Sequence, residues 1–274
     1  MALRSRTLSR RTVLTGLAGF SMALWLHGCT QNEEGDSTTS IKVGTNTGNV
    51  PWQFRNEAGE LVGFEIDLLQ EIGTRLGRSV EFQDIPFTGL FPAVLSTRID
   101  AAIASITITE ERLETLDFAQ PYYDSDQSLT VQANSDISKL EDLKDKTIAV
   151  DSNSTGDTWA QANQATYGYA DILRYEGLEP AMMDLAAGKY DAYISDIPST
   201  QFYVKDHPDL AVIQRIPTGE QYSVMFAKGN LLRDEVNEVI STLKQDGTLA
   251  QIHKKWFGSD PEAGTSTVEV LPTP

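Results

Sequence analysis

The feature that most limits the fold is the alternation of short apolar runs with helical patterns along the chain. Runs that suit buried strands lie at 41–45, 80–82, 101–104, 147–150, 190–194 and 222–227. Apolar residues at helical spacing are clearest at Ile66, Leu69, Ile72 and Leu76, before Gly77, and at Leu232, Val236, Val239, Ile240 and Leu243. Lone strands alternating with helices predict an α/β fold.

Two such series are separated by extended segments near 121–126 and 220–223. This pattern predicts two lobes joined by two chain crossings, with the last helices returning to the first lobe. The expected division is 41–126 plus 220–258 for lobe 1, 127–219 for lobe 2, and a disordered tail at 259–274. Ligands of open α/β sheets bind beyond the carboxyl ends of the strands, so the cleft between the lobes is the expected site.

The charge of the chain excludes some partners. The 274 residues carry a net charge of −17, and the first 28 residues contain four arginines and no acid. The rest of the chain is therefore four units more negative still. Such an acidic body is not expected to bind nucleic acid, and an anionic lipid surface would repel it.

The first 28 residues have the layout of a signal peptide. Arg10 and Arg11 precede an uncharged stretch, 12–26, which is shorter than the roughly 20 apolar residues that span a bilayer. The twin arginines predict Tat export. Cys29 follows a lipobox-like Leu-His-Gly and is the only cysteine, so we predict lipidation there rather than an incidental cysteine. We therefore expect residues 29–40 to form a flexible tether, and the protein to be extracytoplasmic and lipid-anchored to the membrane.

The segment 100–112, DAAIASITITEER, has the composition of an anion-binding corner. The apolar residues 101–104 predict a strand, and Thr109 suits the N-cap of a helix with acidic residues in its first turn. Arg112 then lies just inside the helix start, beside the hydroxyl and backbone N–H of Thr107. A cation, a hydroxyl and free N–H groups together suit a small carboxylate.

Several segments together carry a family resemblance. They are VPWQF at 50–54, LVGFEIDLLQEI at 61–72, FTGLFPAVLSTRIDAAIASITITEER at 87–112, LDFAQPYYDS at 116–125, DAYISDIPS at 191–199 and KKWFG at 254–258. In order and spacing, residues 41–258 resemble family 3 extracellular solute-binding proteins, the polar amino-acid receptors of ABC importers. The resemblance implies a type II periplasmic-binding fold that closes on one amino acid by hinge motion and delivers it to a membrane permease.

The resemblance also implies roles for particular residues. Arg112 would pair with the ligand α-carboxylate and Asp196 would take the α-ammonium from the second lobe. Ser105 and Thr107 would accompany them, and the loop Ser154-Thr155-Gly156 would offer backbone N–H groups to the carboxylate. A zwitterion does need a fixed cation and a fixed anion a few ångströms apart. The alternatives are that Arg112 pairs with a neighbouring surface glutamate, and that Asp196 caps the following helix.

Selectivity is expected at the other end of the cleft. Asn49 stands where relatives commonly have an aromatic residue that stacks on the ligand, and Asn46 stands where several relatives have aspartate. Asp151 is near the position at which a glutamine receptor has a lysine. Phe87 would form a wall of the pocket, and Trp52 is placed near the cleft although packing is its default role. Amides beside a carboxylate favour glutamine or a basic amino acid and disfavour glutamate.

Two other functions stay open at the level of sequence. Some relatives of this fold are exported cyclohexadienyl (prephenate or arogenate) dehydratases, which need a general acid over the substrate ring. A sensing module for a membrane partner is the third reading. The chain has no GxGxxG fingerprint, and its three histidines lack metal-ligand spacing, so we expect no cofactor, no metal and no enzymatic activity.

Overall fold

The structure is a computed structural model that describes residues 40–274. The expected signal peptide, the lipidation site Cys29 and nearly all of the tether lie outside these described residues. Within them, no helix combines the length and apolar character needed to cross a membrane.

The described chain contains twelve strands, eight α-helices and one 3₁₀ turn at Leu140–Leu143. The strands are β1 Ile41–Thr45, β2 Phe54–Arg55, β3 Leu61–Val62, β4 Val80–Asp84, β5 Ala101–Ala102, β6 Leu116–Phe118, β7 Tyr123–Gln132, β8 Thr147–Asp151, β9 Asp171–Tyr175, β10 Ala192–Asp196, β11 Leu210–Tyr222 and β12 Met225–Ala227. The helices are α1 Phe64–Leu76, α2 Phe87–Leu95, α3 Glu110–Thr115, α4 Thr155–Tyr167, α5 Leu178–Ala186, α6 Ile197–Tyr203, α7 Leu232–Gln245 and α8 Thr248–Phe257.

Two five-stranded sheets form the centres of two lobes. Sheet 1 has the order β4-β1-β5-β12-β6, and sheet 2 has the order β11-β7-β10-β8-β9. In sheet 1, β1 is parallel to β4 and β5, and in sheet 2, β8 is parallel to β9 and β10. The strands of each parallel set therefore present their carboxyl ends at one edge, where the next residues can form a site.

Two long antiparallel strands connect the lobes. Strand β7 pairs with β11 from Tyr123↔Tyr222 to Gln132↔Leu210, with register shifts on the β11 side before Gln214 and Glu220. The extended segments expected at 121–126 and 220–223 are the lobe 1 ends of these strands. Because both crossings belong to one ladder, they form a single two-stranded hinge.

The core of lobe 1 follows from the periodicity of α1. Its Phe64, Leu68, Leu69 and Ile72 pack in one buried cluster with residues of sheet 1, α7 and α8. The helix ends at Gly77, which adopts the left-handed conformation with φ 66° that glycine takes without a steric cost. The helical spacing of apolar residues in the sequence therefore agrees with the face of α1 that is buried.

The strand expected at 101–104 is shorter than its apolar run suggests. Strand β5 covers only Ala101–Ala102, although Ile103 N still donates to the carbonyl of Gly44 at 3.0 Å. Ser105 then has a φ of 49°, which is not an extended conformation. Ser105 N donates to Oε1 of the buried Glu65 at 2.7 Å instead of continuing a ladder, and Tyr122 donates to the same oxygen. This bend turns the chain toward the space between the lobes.

The prediction of a disordered tail at 259–274 is wrong. Ser266 N donates to Asp124 Oδ2 at 2.7 Å, and Thr267 Oγ1 donates to the carbonyl of Tyr122 at 3.0 Å. Ser266 and Thr267 are buried. The segment has few apolar residues, which suggested disorder, but its polar groups bond to the start of the hinge.

Candidate ligand-binding site

A cavity between the lobes is lined by residues that follow the carboxyl ends of the strands. Lobe 1 contributes Asn46, Asn49, Gln53, Phe87, Ala104, Ser105, Thr107 and Arg112. Lobe 2 contributes Asp151, Ser152, Ser154, Thr155, Tyr175, Glu176, Gly177, Leu178, Ser195 and Asp196. Ten of the twelve residues named from sequence as ligand contacts line this cavity. Residues 175–178 also line the cavity, although no sequence motif indicated them.

Two residues named from sequence do not line it. Trp52 is fully buried in the core of lobe 1, where its ring meets Phe64, Tyr123, Tyr222 and Phe257 edge-on. Its indole Nε1 donates to the buried Ser199 Oγ at 2.9 Å, so this donor has the partner that a buried tryptophan needs. Gly156 is also buried, and a Cβ there would approach Gln127 Oε1 to 2.9 Å. Trp52 therefore packs behind the site, while Gly156 has no side chain in the cavity and only its backbone N–H to offer a ligand.

Arg112 is held at one end of the cavity without a carboxylate partner. Its backbone N donates to Thr109 Oγ1 at 3.2 Å, so Thr109 is the N-cap of α3, as predicted. Its Nη1 donates to the carbonyl of Thr107 at 2.7 Å, and Nη2 reaches the carbonyl of Asn153 in lobe 2 at 3.4 Å. None of the ion pairs within residues 40–274 includes Arg112, which excludes the surface pairing considered above.

The environment of this guanidinium is partly apolar. It lies 5.8 Å from the ring centre of Phe87 and 5.1 Å from that of Phe91. Burial lowers the pKa of Arg112 from its ordinary value, and the negative charges of Glu220 and Asp196 oppose that shift. Arginine stays charged under such conditions, so the site contains a partly buried cation with unused donors.

Asp196 supplies a carboxylate from the end of β10. Its Oδ1 accepts from Gln127 Nε2 at 2.7 Å, and its side chain does not cap α6. Burial raises the pKa of Asp196 to about 8, and the charge of Glu220 adds to the effect. A cation bound beside this carboxylate would favour its ionised form.

Helix α4 offers backbone donors at its N-terminus. Ser154 caps it, with Oγ accepting from Asp157 N at 3.0 Å and its carbonyl accepting from Thr158 N at 3.1 Å. Of the four N–H groups that a helix start leaves without intrahelical partners, those of Thr155 and Gly156 remain for a ligand.

The threonine hydroxyls are engaged by a residue that sequence reasoning missed. Thr107 Oγ1 and Thr155 Oγ1 both donate to Oε2 of the buried Glu220, at 2.8 and 2.9 Å. A hydroxyl has one proton to give, so these two oxygens can only accept from a ligand. The only indication of Glu220 in the sequence was an acidic residue in the segment 220–223, which was expected to form the second connection between the lobes.

Two further residues of the cavity lining, Asp151 and Asn49, have acceptor oxygens without donors. Asp151 Oδ2 accepts from Tyr193 OH at 2.6 Å and from Ser195 Oγ at 3.2 Å, while its enclosed Oδ1 has no partner. Asn49 Nδ2 donates weakly to Ser105 Oγ at 3.4 Å, and Asn49 Oδ1 is also unpartnered. Burial raises the pKa of Asp151 to about 6. Unpartnered buried acceptors are uncommon, and these two belong to residues of the cavity lining, where a ligand could supply the donors.

No metal site accompanies these groups in the described residues. Between residues 40 and 274, no three His, Cys, Asp or Glu side chains gather closely enough to hold a metal ion.

Comparisons with known proteins agree with this geometry. The model of bacterial extracellular solute-binding proteins, family 3, matches residues 41–259. The histidine-binding periplasmic protein of Escherichia coli K12 is 30% identical over 245 residues, covering 82% of this chain and 90% of that protein.

Solved structures with the same fold are also similar in sequence. An ancestral arginine-binding protein bound to arginine has a TM-score of 0.76 and 36% identity, covering 80% of this chain and 98% of that one. The arginine-, lysine-, histidine-binding protein ArtJ from Geobacillus stearothermophilus has a TM-score of 0.75 and 33% identity, covering 81% and 97%.

Two α/β lobes, a two-stranded hinge and a polar cavity between the lobes define a type II periplasmic-binding fold, as the family resemblance implied. The chain belongs to family 3 of the bacterial extracellular solute-binding proteins. The relatives reported above are binding proteins rather than enzymes, which supports a binding function over the dehydratase considered from the sequence.

Proposed function

We propose that this protein captures a basic amino acid, arginine foremost, between its lobes and delivers it to an ABC permease. The observation that carries the proposal is the pair of unpartnered acceptors, Asp151 Oδ1 and Asn49 Oδ1, in a cavity that is also lined by an arginine without a carboxylate partner. A ligand that fits both features has a carboxylate for the arginine and several donors for the acceptors.

The main-chain groups of an amino acid suit Arg112 and Asp196. Its α-carboxylate would pair with Arg112 and accept from the N–H groups of Thr155 and Gly156. Its α-ammonium would lie against Asp196. Hydrogen bonds to charged groups contribute about 1.5–3 kcal/mol each, so several of them support micromolar affinity after the costs of binding.

A basic side chain suits Asp151 and Asn49. A guanidinium has five donors in a planar fork and can satisfy the carboxylate of Asp151 and the amide oxygen of Asn49 together. Glutamine has only two side-chain donors and would leave the Asp151 charge uncompensated. Histidine-binding and arginine-binding relatives are consistent with this ligand class.

Calorimetric titration of the purified protein with each of the twenty amino acids tests the proposal. We expect arginine, lysine or histidine to bind most tightly and glutamine to bind more weakly. Tight binding confined to leucine-like or acidic amino acids would overturn the assignment. Mass spectrometry of any amino acid released from the purified protein by denaturation gives an independent reading.

The route to the membrane is a separate part of the proposal. The twin-arginine signal at residues 1–28 and lipidation at Cys29 would anchor the protein outside the cytoplasm, within reach of a permease. Mass spectrometry of the mature N-terminus in the producing bacterium should find a diacylated or triacylated Cys29. A Cys29→Ser variant should instead appear in the aqueous phase of a detergent partition.

A further inference from the structure

Glu220 receives hydrogen bonds from both lobes of the protein. It lies in β11, directly after a register shift in the hinge ladder, and is buried. Its Oε2 accepts from Thr107 of lobe 1 and Thr155 of lobe 2, at 2.8 and 2.9 Å. Its Oε1 accepts from Gln127 Nε2 at 2.8 Å and from Thr218 Oγ1 at 3.0 Å.

The two hydroxyls belong to elements that separate when the lobes move apart. Thr107 follows β5 and forms an isolated bridge with Tyr222 of β11, which fixes it to the lobe 1 end of the hinge. Thr155 is the first residue of α4 in lobe 2. One oxygen atom can bond to both only while the cleft is closed, and hydrogen bonds to an ionised acceptor are the strong ones.

We propose that Glu220 is a closure latch: a single carboxylate in the hinge that ties Thr107 of lobe 1 to Thr155 of lobe 2 and so retains the bound ligand. The inference rests on the proposed amino-acid-binding function and adds a positioning residue to it. Glu220 itself does not line the ligand cavity.

The latch also connects the two charged groups of the site. Gln127 Nε2 bonds to Glu220 and, at 2.7 Å, to Asp196, so the ammonium-binding carboxylate is attached to the latch. Thr107 joins the other side, because its hydroxyl bonds to Glu220 while its carbonyl accepts from Arg112. Closure by Glu220 therefore orients the cation and the anion of the clamp together.

The test uses a Glu220→Gln variant and L-arginine as the probe. An amide keeps the size of the side chain but replaces one acceptor oxygen by a donor, so two of the four incoming donors lose their acceptor. Stopped-flow fluorescence should give a dissociation rate at least tenfold faster, with the association rate within threefold of the native protein. The preference for arginine over glutamine should not change, because the side-chain end is untouched.

Glu238→Gln is the matched control, since Glu238 is an exposed glutamate of α7 in lobe 1. It should leave both rates unchanged. Thermal unfolding followed by circular dichroism checks that each variant folds. If Glu220→Gln does not fold, Thr155→Val removes the lobe 2 half of the latch and should give the same increase in dissociation rate.

A double-mutant cycle separates a latch from a general role in the hinge. Thr107→Val and Thr155→Val should each speed dissociation in the native background and should add less than twofold in Glu220→Gln. Full additivity, or a native dissociation rate in Glu220→Gln, overturns the inference.

If the proposed function is wrong, the native protein will bind no amino acid at all, which differs from the changed dissociation rates that test the latch. The latch is then judged by small-angle X-ray scattering without ligand, where Glu220→Gln should have a larger radius of gyration than the native protein. Identical radii would reject the latch.

Discussion

Two groups of residues in the cavity lining, the clamp residues Arg112 and Asp196 and the side-chain residues Asp151 and Asn49, differ in how their polar groups are satisfied. At the clamp end, Arg112 bonds to two carbonyls and Asp196 bonds to Gln127, so both charges are fixed by the protein. At the side-chain end, Asp151 and Asn49 each keep an oxygen without a donor. A pre-organised clamp binds the α-carboxylate and α-ammonium that all amino acids share. Unpartnered acceptors instead favour ligands whose side chains carry hydrogen-bond donors.

Removing the clamp cation should have the largest effect. Arg112→Ala is expected to weaken binding of every amino acid by more than a hundredfold, because the loss of two charge-assisted hydrogen bonds costs about 3–6 kcal/mol. Calorimetry with arginine and glutamine measures it. Arg98→Ala, at an exposed arginine of lobe 1, is the control and should bind like the native protein. A loss confined to arginine would contradict the division between the two ends.

Removing the side-chain anion should be selective. Asp151→Asn is expected to weaken arginine binding about 10- to 100-fold, since one charge-assisted hydrogen bond contributes about 1.5–3 kcal/mol. Glutamine affinity should stay within threefold. Asp136→Asn changes a lobe 2 aspartate whose side chain is 85% exposed, and it should change neither ligand. Equal losses for both ligands would place Asp151 in the clamp.

The pH dependence should have opposite signs for stability and for binding. Burial raises the pKa values of Asp151, Glu65 and Asp196 to about 6, 7 and 8 in the ligand-free protein. The folded state then holds protons that the unfolded chain releases above about pH 4, so these groups make the free energy of unfolding fall as pH rises from 5 to 8. Arginine needs ionised Asp151 and Asp196, so its affinity should rise over the same range.

Calorimetric melting without ligand and arginine titrations at pH 5, 6, 7 and 8 measure the two trends. In Asp151→Asn, the part of the affinity change centred near pH 6 should disappear while the part near pH 8 remains. Parallel trends in stability and affinity would refute the assignment of these carboxyl groups.

How much of this was predictable depends on where each group comes from. The clamp residues lie in continuous motifs: Arg112 follows the 100–109 run and Asp196 ends an apolar strand. The local pattern indicated an anion-binding corner at Arg112, and the family resemblance implied the roles of both residues. Glu220 and Gln127 meet only because β7 and β11 pair with a shifted register, which no local pattern encodes. The ordered tail is the same kind of case, since its partners lie far away in sequence.

The smallest effect is expected behind the cavity, at Trp52. Its Nε1 donates to Ser199 Oγ of lobe 2 at 2.9 Å, so it links the lobes without contacting the ligand space. Trp52→Phe keeps most of the ring packing and loses the donor, at a cost of about 1 kcal/mol, which is roughly fivefold in affinity. Arginine and glutamine should weaken together, because closure is affected and selectivity is not. Trp159→Phe, which changes the stacking with Tyr167 on α4, is the control and should leave both affinities unchanged. A change in the arginine-to-glutamine ratio in Trp52→Phe would mean that the cavity extends to this indole and that the boundary drawn between closure and selectivity is misplaced.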